Sequence, residues 1–518
     1  MLWATQMKAL YMYASNHLAW ELRKASVGRD NAPFLQIANS RKTLTYGAFF
    51  ANAEKMAAVL CGLGVKPGDR VAVQTPKTPA MLELYIGAVL AGAVFLPLNN
   101  AYTTTEVTYF LKDASPKVLV CDPARQKALA SVAADCGVTS LLTLGSHDSG
   151  MLPVLRDQQT AGFSAVPRAA NDLAAILYTS GTTGRSKGAM LTHRALVSNS
   201  LTLVDYWQFS AKDVLIHALP IFHTHGLFVA TNITLMAGGA CIFMEKFDAK
   251  AVIRAMPQAT VLMGVPTFYV RLLEQPELAA AAKDFRLFIS GSAPLLAETH
   301  NKWRNITGHA ILERYGMTET NMNTSNPYDG DRRAGTVGFA LPGIELVVTD
   351  ANTGRELPKG EIGVLEVRGP NVFKGYWNMP EKTAEELRPN GFFITGDLGK
   401  IDADGYVHII GRRKDLIITG GFNVYPKEVE LLVDDISGVT ESAVIGVPHK
   451  DFGEAVVAVV VPDKGASLAQ NDIQAALTNS LARFKQPKLV IFVEELPRNT
   501  MGKVQKNALR DQYATLFS

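Results

Sequence analysis

The chain has 518 residues, 47% of them hydrophobic and 19% charged, so it is long enough for several domains and too apolar for a disordered polyelectrolyte. Lys and Arg number 51 against 48 Asp and Glu, a net charge of +3 that argues against a nucleic-acid protein with a broad basic face. The longest apolar run, Leu84 to Leu98, is broken by Gly87, Gly92 and Pro97 and is shorter than the ~18 residues a spanning helix needs, so no membrane partner is expected.

In chain order, Val71–Gln74 reads as a strand, Ala80–Ala91 as a helix stopped by Gly92, and Val94–Leu98 as the next strand. Val118–Cys121, Ala174–Tyr178, Val214–Ala218, Val261–Gly264 and Leu287–Ser290 are further short apolar runs between turn residues. Strands alternating with helices predict an α/β architecture with buried, largely parallel sheets. After about Gly360 the texture changes. Gly363–Val367, Gly391–Ile394 and Val407–Ile410 are separated by turn chemistry and predict antiparallel hairpins. A charged stretch, Gly411–Asp415, follows. Beyond it, strands at Ala443–Val447, Ala455–Val461 and Val490–Val493 and helices near Lys427–Val433 and Ile473–Phe484 suffice for a small α+β domain. The expected division is 1–411 and 412–518, with fused α/β subdomains and a β-barrel-like subdomain in the larger part.

Cys61, Cys121, Cys136 and Cys241 have no CxxC spacing, so neither a zinc site nor a disulfide scaffold is expected, only free thiols in a reducing compartment. The beginning of the chain lacks the features of a signal or transit peptide, which makes the cytoplasm the expected location. Roughly the first 15 residues carry no legible role.

The strongest local signal is Tyr178–Gly188, which holds three glycines, five Ser or Thr residues and Lys187. Exposed N–H and O–H donors beside a compact cation suit polyphosphate oxygens. It is not a Walker A sequence, and no GxGxxG occurs in the chain. The block resembles the phosphate loop of the adenylate-forming superfamily: acyl-CoA synthetases, peptide-synthetase adenylation domains and firefly-type luciferases. Five further blocks match in order. They are Gly291-Ser292-Ala293-Pro294-Leu295, Arg314-Tyr315-Gly316-Met317-Thr318-Glu319-Thr320, Phe393-Ile394-Thr395-Gly396-Asp397, Gly411-Arg412-Arg413-Lys414-Asp415 and Pro497-Arg498-Asn499-Thr500-Met501-Gly502-Lys503. The stretch Glu313–Tyr328, the HTHG at His223–Gly226 and the GVPTFY at Gly264–Tyr269 are similar to malonyl-CoA synthetases in particular.

The resemblance implies roles residue by residue. ATP or AMP would lie against Thr179, Ser180, Gly181, Thr182, Thr183, Gly184 and Lys187. It would also meet Gly291, Ser292, Ala293, Pro294, Arg314, Tyr315, Gly316, Met317, Asp397 and Arg412. Thr318 would donate to the α-phosphate. Glu319 would ligate Mg²⁺, a hard cation that wants oxygen. Asp397 would accept the ribose hydroxyls. Lys503 would stabilise charge developing at the α-phosphorus. Lys414 would be a hinge, with Gly420, Gly421 and Phe422 entering the site for the CoA step. His223 would stand between acyl pocket and adenylate. A dicarboxylate needs a cation in that pocket, and Arg286 is the expected one.

The expected activity is malonate:CoA ligation through malonyl-AMP, with ATP and CoA as co-substrates. Methylmalonate, another short acid or carrier loading are the alternatives. The expected assembly is a monomer or homodimer.

Overall fold

The computed structural model describes residues 10–40, 42–179, 186–420, 422–478, 480–499 and 502–517. Ser180–Gly184 of the phosphate loop, Gly421, Thr500 and Met501 therefore lie outside the described residues.

Two α/β sheets form most of the N-terminal part. The first runs Ser140–Thr143, Val118–Cys121, Arg70–Gln74, Val94–Pro97, Leu173–Thr179, Lys187–Thr192. Its pairs are parallel except the last, in which Leu173–Thr179 and Lys187–Thr192 run antiparallel. Val118–Cys121 and Val94–Pro97 are buried at every position, which is why they read as continuous apolar runs rather than alternating ones. The run Leu84–Leu98 resolves as expected. Thr78 caps a helix over Pro79–Leu90, accepting a hydrogen bond from the Met81 amide, and Gly92 turns the chain with φ 72° into the strand.

The second sheet centres on parallel strands Leu312–Met317, Leu287–Ser290, Val261–Gly264, Val214–His217, Ala240–Phe243 and Pro33–Ile37. Antiparallel strands close both edges. The core spans both sheets, with Trp207, Tyr85, Phe95 and Phe228 fully buried in it.

The change of texture after Gly360 corresponds to a four-stranded antiparallel sheet, Glu345–Thr349, Gly363–Arg368, Phe393–Ile401 and Val407–Arg412. A smaller C-terminal domain follows. Its sheet holds Val439–His449 and Gly453–Pro462, and it has its own apolar clusters from Ile417 to Leu509. The expected helix Ile473–Phe484 is shorter, Gln470–Leu477, because Gln486 and Lys485 fold back on the turn at Leu481–Ala482 instead of extending it. All four cysteines are free. Among the described residues, no helix is long and apolar enough to cross a membrane.

Candidate active site

In parallel sheets the ligand-facing edge is the one where strands end. The predicted site residues gather there. Thr179 ends one strand, Ser290 ends the next, and Gly291–Pro294 continue from it. Thr318, Glu319 and Thr320 form the turn between Leu312–Met317 and Asn321–Ser325. Gly316 is required in that hairpin, since a Cβ there would lie 1.9 Å from the Asn321 carbonyl oxygen.

Glu319 is buried, and burial pushes its carboxyl up. Among the described residues, no cation lies within ion-pair distance of it. The Tyr376 hydroxyl stands 3.0 Å from Glu319 Oε1 and 2.6 Å from Glu386 Oε2. Lys187 Nζ sits 3.2 Å from both Glu386 oxygens and 4.1 Å from the centre of the Tyr376 ring. Burial pushes the Glu386 carboxyl up, but Tyr376, Lys382 and Lys187 together outweigh it and hold it below its usual range. Tyr376 and Glu386 were not legible as site residues. Glu386 is 199 positions from Lys187, and only the fold unites them.

Asp397 and Arg412 face each other across adjacent strands. Arg412 Nε donates to Asp397 Oδ1 at 2.8 Å, and the Tyr315 hydroxyl donates to Oδ2 at 2.5 Å. Each oxygen keeps a lone pair for a further donor. Lys503 reaches this corner from the C-terminal domain. Its loop packs on the helix Pro266–Leu273, with the Gly502 backbone against Thr267. Lys503 is exposed at the surface, yet the protein around it partly desolvates its ammonium. That desolvation, reinforced by Arg412, pushes its ammonium down to about 8. Lys414 is held below its usual range too, first by burial. Gly420 and Phe422 remain on the C-terminal domain. The Gly420 amide donates to the Phe452 carbonyl at 2.8 Å, and exposed Phe422 stacks on Phe484 at 4.7 Å.

The structure does not bring Arg286 to this edge. It stands at the start of Leu287–Ser290, a full strand of roughly 13 Å from the ligand edge. Its guanidinium is taken in two parallel bonds by Asp213, Nε–Oδ1 2.6 Å and Nη2–Oδ2 2.9 Å. Nη1 donates to the Trp207 carbonyl at 3.0 Å. Three of its five N–H donors are thus taken within the protein, at the end of the strand away from that edge. Arg286→Met should therefore cost roughly 1–3 kcal/mol of stability by orphaning buried Asp213, as denaturant titration will read, and leave the KM for the acid unchanged.

Arg314 is a further cation at that edge, on the strand Leu312–Met317. It is buried, and Gly291 makes room for it: a Cβ there would lie 2.4 Å from Arg314 Cζ. Among the described residues its Nε and Nη2 have no hydrogen-bond partner, nor do Ser290 Oγ and His225 Nε2. Ser292 Oγ is 3.3 Å from His225 Nδ1, and the His225 amide is 3.5 Å from His223 Nδ1. Burial, with Arg314 adding to it, holds both imidazoles neutral, His223 at about 4. Burial likewise pushes Arg314 itself down, to about 9. Among the described residues, Arg314 is thus a buried guanidinium with two unsatisfied nitrogens beside two neutral imidazoles.

The sequence matches the family described as AMP-binding enzyme over residues 22–377, and the AMP-binding enzyme C-terminal domain over 428–503. The chain belongs to the AMP-binding enzyme family. Lys503 is the last residue of the second match. Asp397, Arg412 and Lys414 fall between the two. The ATP-bound crystal structure of MatB from Rhodopseudomonas palustris is similar at 58% identity and TM-score 0.95, over 97% of this chain and all of that one. The malonate–CoA ligase of Arabidopsis thaliana is 33% identical over 87% of this chain and 79% of its own length. A feruloyl-CoA synthase from Amycolatopsis is 36% identical over 96% and 98%.

Proposed function

We propose that this AMP-binding enzyme ligates malonate to CoA in two steps. Malonate and ATP give malonyl-AMP and pyrophosphate, and CoA then gives malonyl-CoA and AMP. The observation that carries the choice of acid is Arg314. A buried guanidinium with free donors is costly unless a substrate anion pairs with it. A second carboxylate on the acid does so, with Ser290, Ser292, His223 and His225 bounding it. An aryl or fatty acid would leave the charge unpaired. The kinship to a malonate–CoA ligase points the same way.

In the first step one carboxylate oxygen attacks the α-phosphorus and pyrophosphate leaves. Thr179, Lys187 and the loop Ser180–Gly184 receive the polyphosphate. Lys187 exchanges Glu386 for phosphate oxygens as ATP arrives. Gly291–Pro294, Tyr315, Gly316 and Met317 border the nucleotide, and Asp397 with Arg412 takes the ribose. Thr318 donates to an α-phosphate oxygen. Lys503 bridges that oxygen and the incoming carboxylate and stabilises the charge that gathers there. Glu319, a buried carboxylate with no cation within ion-pair distance among the described residues, fits Mg²⁺ and would hold it. When bound, the ion supplies charge neutralisation of the polyphosphate. In the second step the CoA thiolate attacks the mixed anhydride carbonyl and AMP leaves with the bonding pair. Rotation about Lys414 brings Gly420, Gly421 and Phe422 to the site for that step.

The position of Lys503 sets a pH dependence. A lysine with a depressed pKa is charged below that value and loses its charge as pH rises through it. In pyrophosphate release, kcat/KM for ATP should therefore fall above about pH 8, while thioester formation from supplied malonyl-AMP should rise there with the thiolate. Separate assays of the two half-reactions across pH 6.5 to 9.5 check this.

The function itself is tested by pyrophosphate release across malonate, methylmalonate, succinate, propionate, benzoate and ferulate, with and without CoA. Malonate should give the highest kcat/KM. Preference for a monocarboxylic acid would overturn the assignment.

A further inference from the structure

One buried cation takes no part in the steps above. Lys77 lies in the loop after the strand Arg70–Gln74, and its Nζ is enclosed. Among the described residues it has no carboxylate within ion-pair distance. It donates instead to the carbonyl of His217 at 2.8 Å, stands 3.1 Å from His217 Nδ1, and lies 4.5 Å above the Phe243 ring. Burial of an ammonium against neutral partners costs more than an apolar side chain filling the same space. Its geometry shows what the ammonium does.

The Gly226 carbonyl can only accept, so the ring proton sits on His217 Nε2 and Nδ1 accepts from Lys77. His217 Nε2 then donates to the Gly226 carbonyl at 2.9 Å. The Thr231 hydroxyl donates to the same carbonyl at 3.0 Å. Gly226 lies in a π-helical turn, His225–Thr231, and a Cβ on it would stand 2.1 Å from the Pro220 carbonyl oxygen. The loop from Pro220 to Gly226 is thus closed backbone against backbone, and its closing carbonyl is tied through His217 to Lys77. That loop carries His223 and His225. Non-α turns of this kind tend to re-aim side chains at functional sites.

We infer that Lys77 and His217 are positioning residues for the acid pocket. They span the two α/β sheets and fix the π-helical turn, so that His225 meets Ser292 and both imidazoles face Arg314. Neither touches substrate in this arrangement. The inference rests on the acid-pocket reading given above.

Steady-state KM values for malonate, ATP and CoA, with kcat and the thermal midpoint, test it in Lys77→Met, Thr231→Val and the double variant. Lys77→Met should raise the malonate KM by roughly 10- to 100-fold, the scale of a small misplacement of pocket groups, with the ATP KM unchanged. Thr231→Val keeps the side-chain volume and removes one tie, and it should move the malonate KM the same way by less. The double variant should fall short of the product of the two. A malonate KM unmoved in both single variants overturns the inference. So does a loss shared equally by all three substrates and by the thermal midpoint. If Lys77→Met does not fold, Thr231→Val decides alone. A wild-type protein that rejects malonate defeats the acid assignment instead. The same comparison, run on the acid it does accept, still tests the tie.

Discussion

Lys503→Ala should lower malonyl-AMP formation by roughly 10²–10³-fold while supplied malonyl-AMP is still converted to malonyl-CoA near the wild-type rate. The asymmetry follows from where charge develops. In the first step an anion approaches an anion, and a pentacoordinate phosphorus gathers charge beside Lys503. In the second step the reacting carbonyl is neutral and AMP departs with its charge already formed. The side chain retains solvent access, so its loss should leave the fold and ATP affinity intact. Pyrophosphate release, thioester formation from synthetic malonyl-AMP and ATP titration on one preparation read the three quantities. Equal loss in both half-reactions would place Lys503 in general architecture rather than at the α-phosphate.

Much of the fold was legible because burial writes itself into sequence. Val118–Cys121, Val261–Gly264 and Leu287–Ser290 appear in the structure with the limits their apolar runs predict. Strands buried on both faces have no polar positions to blur their ends. The site was legible where one short segment carries several of its parts, as in Tyr315–Glu319 or Asp397 with Arg412. Arg286 is set apart from those residues. A cation beside an apolar strand has the same local signature at either end of the strand, but in a parallel sheet only the trailing end faces ligand. Arg286 stands at the leading end, and its partner Asp213 is 73 positions away. Arg314 was expected to border the nucleotide, and the role proposed for it above, toward the acid, is a different one. Whether an arginine reaches nucleotide or acid depends on what packs over it, and Gly291 is what leaves Arg314 its room. Tyr376, Glu386 and Lys77 left no trace for a related reason. Each acts through a partner on a distant segment, and no spacing in the sequence encodes that meeting.

Arg314→Met tests the choice of acid most sharply, because three measurements should move in different directions. First, kcat/KM for malonate should fall by roughly 2–5 kcal/mol of transition-state binding, about 30- to 5,000-fold, since the second carboxylate would lose its buried cationic partner. Second, turnover of propionate should rise relative to malonate. Its methyl group no longer strands a buried guanidinium, and the thioether supplies apolar contact of similar length. Third, the folded protein should become more stable. Free Arg314 is buried with Nε and Nη2 unpartnered among the described residues, and burial has already pushed it down to about 9. Replacing an unpaired buried charge by a hydrophobe of similar shape relieves that cost. A nucleotide-contacting arginine would behave otherwise. Its loss would raise the ATP KM for every acid alike and leave the ratio of malonate to propionate where it was. The same guanidinium thus weakens the empty fold and selects the acid that fills it, and the opposite signs of stability and malonate turnover in one variant are the signature of that role.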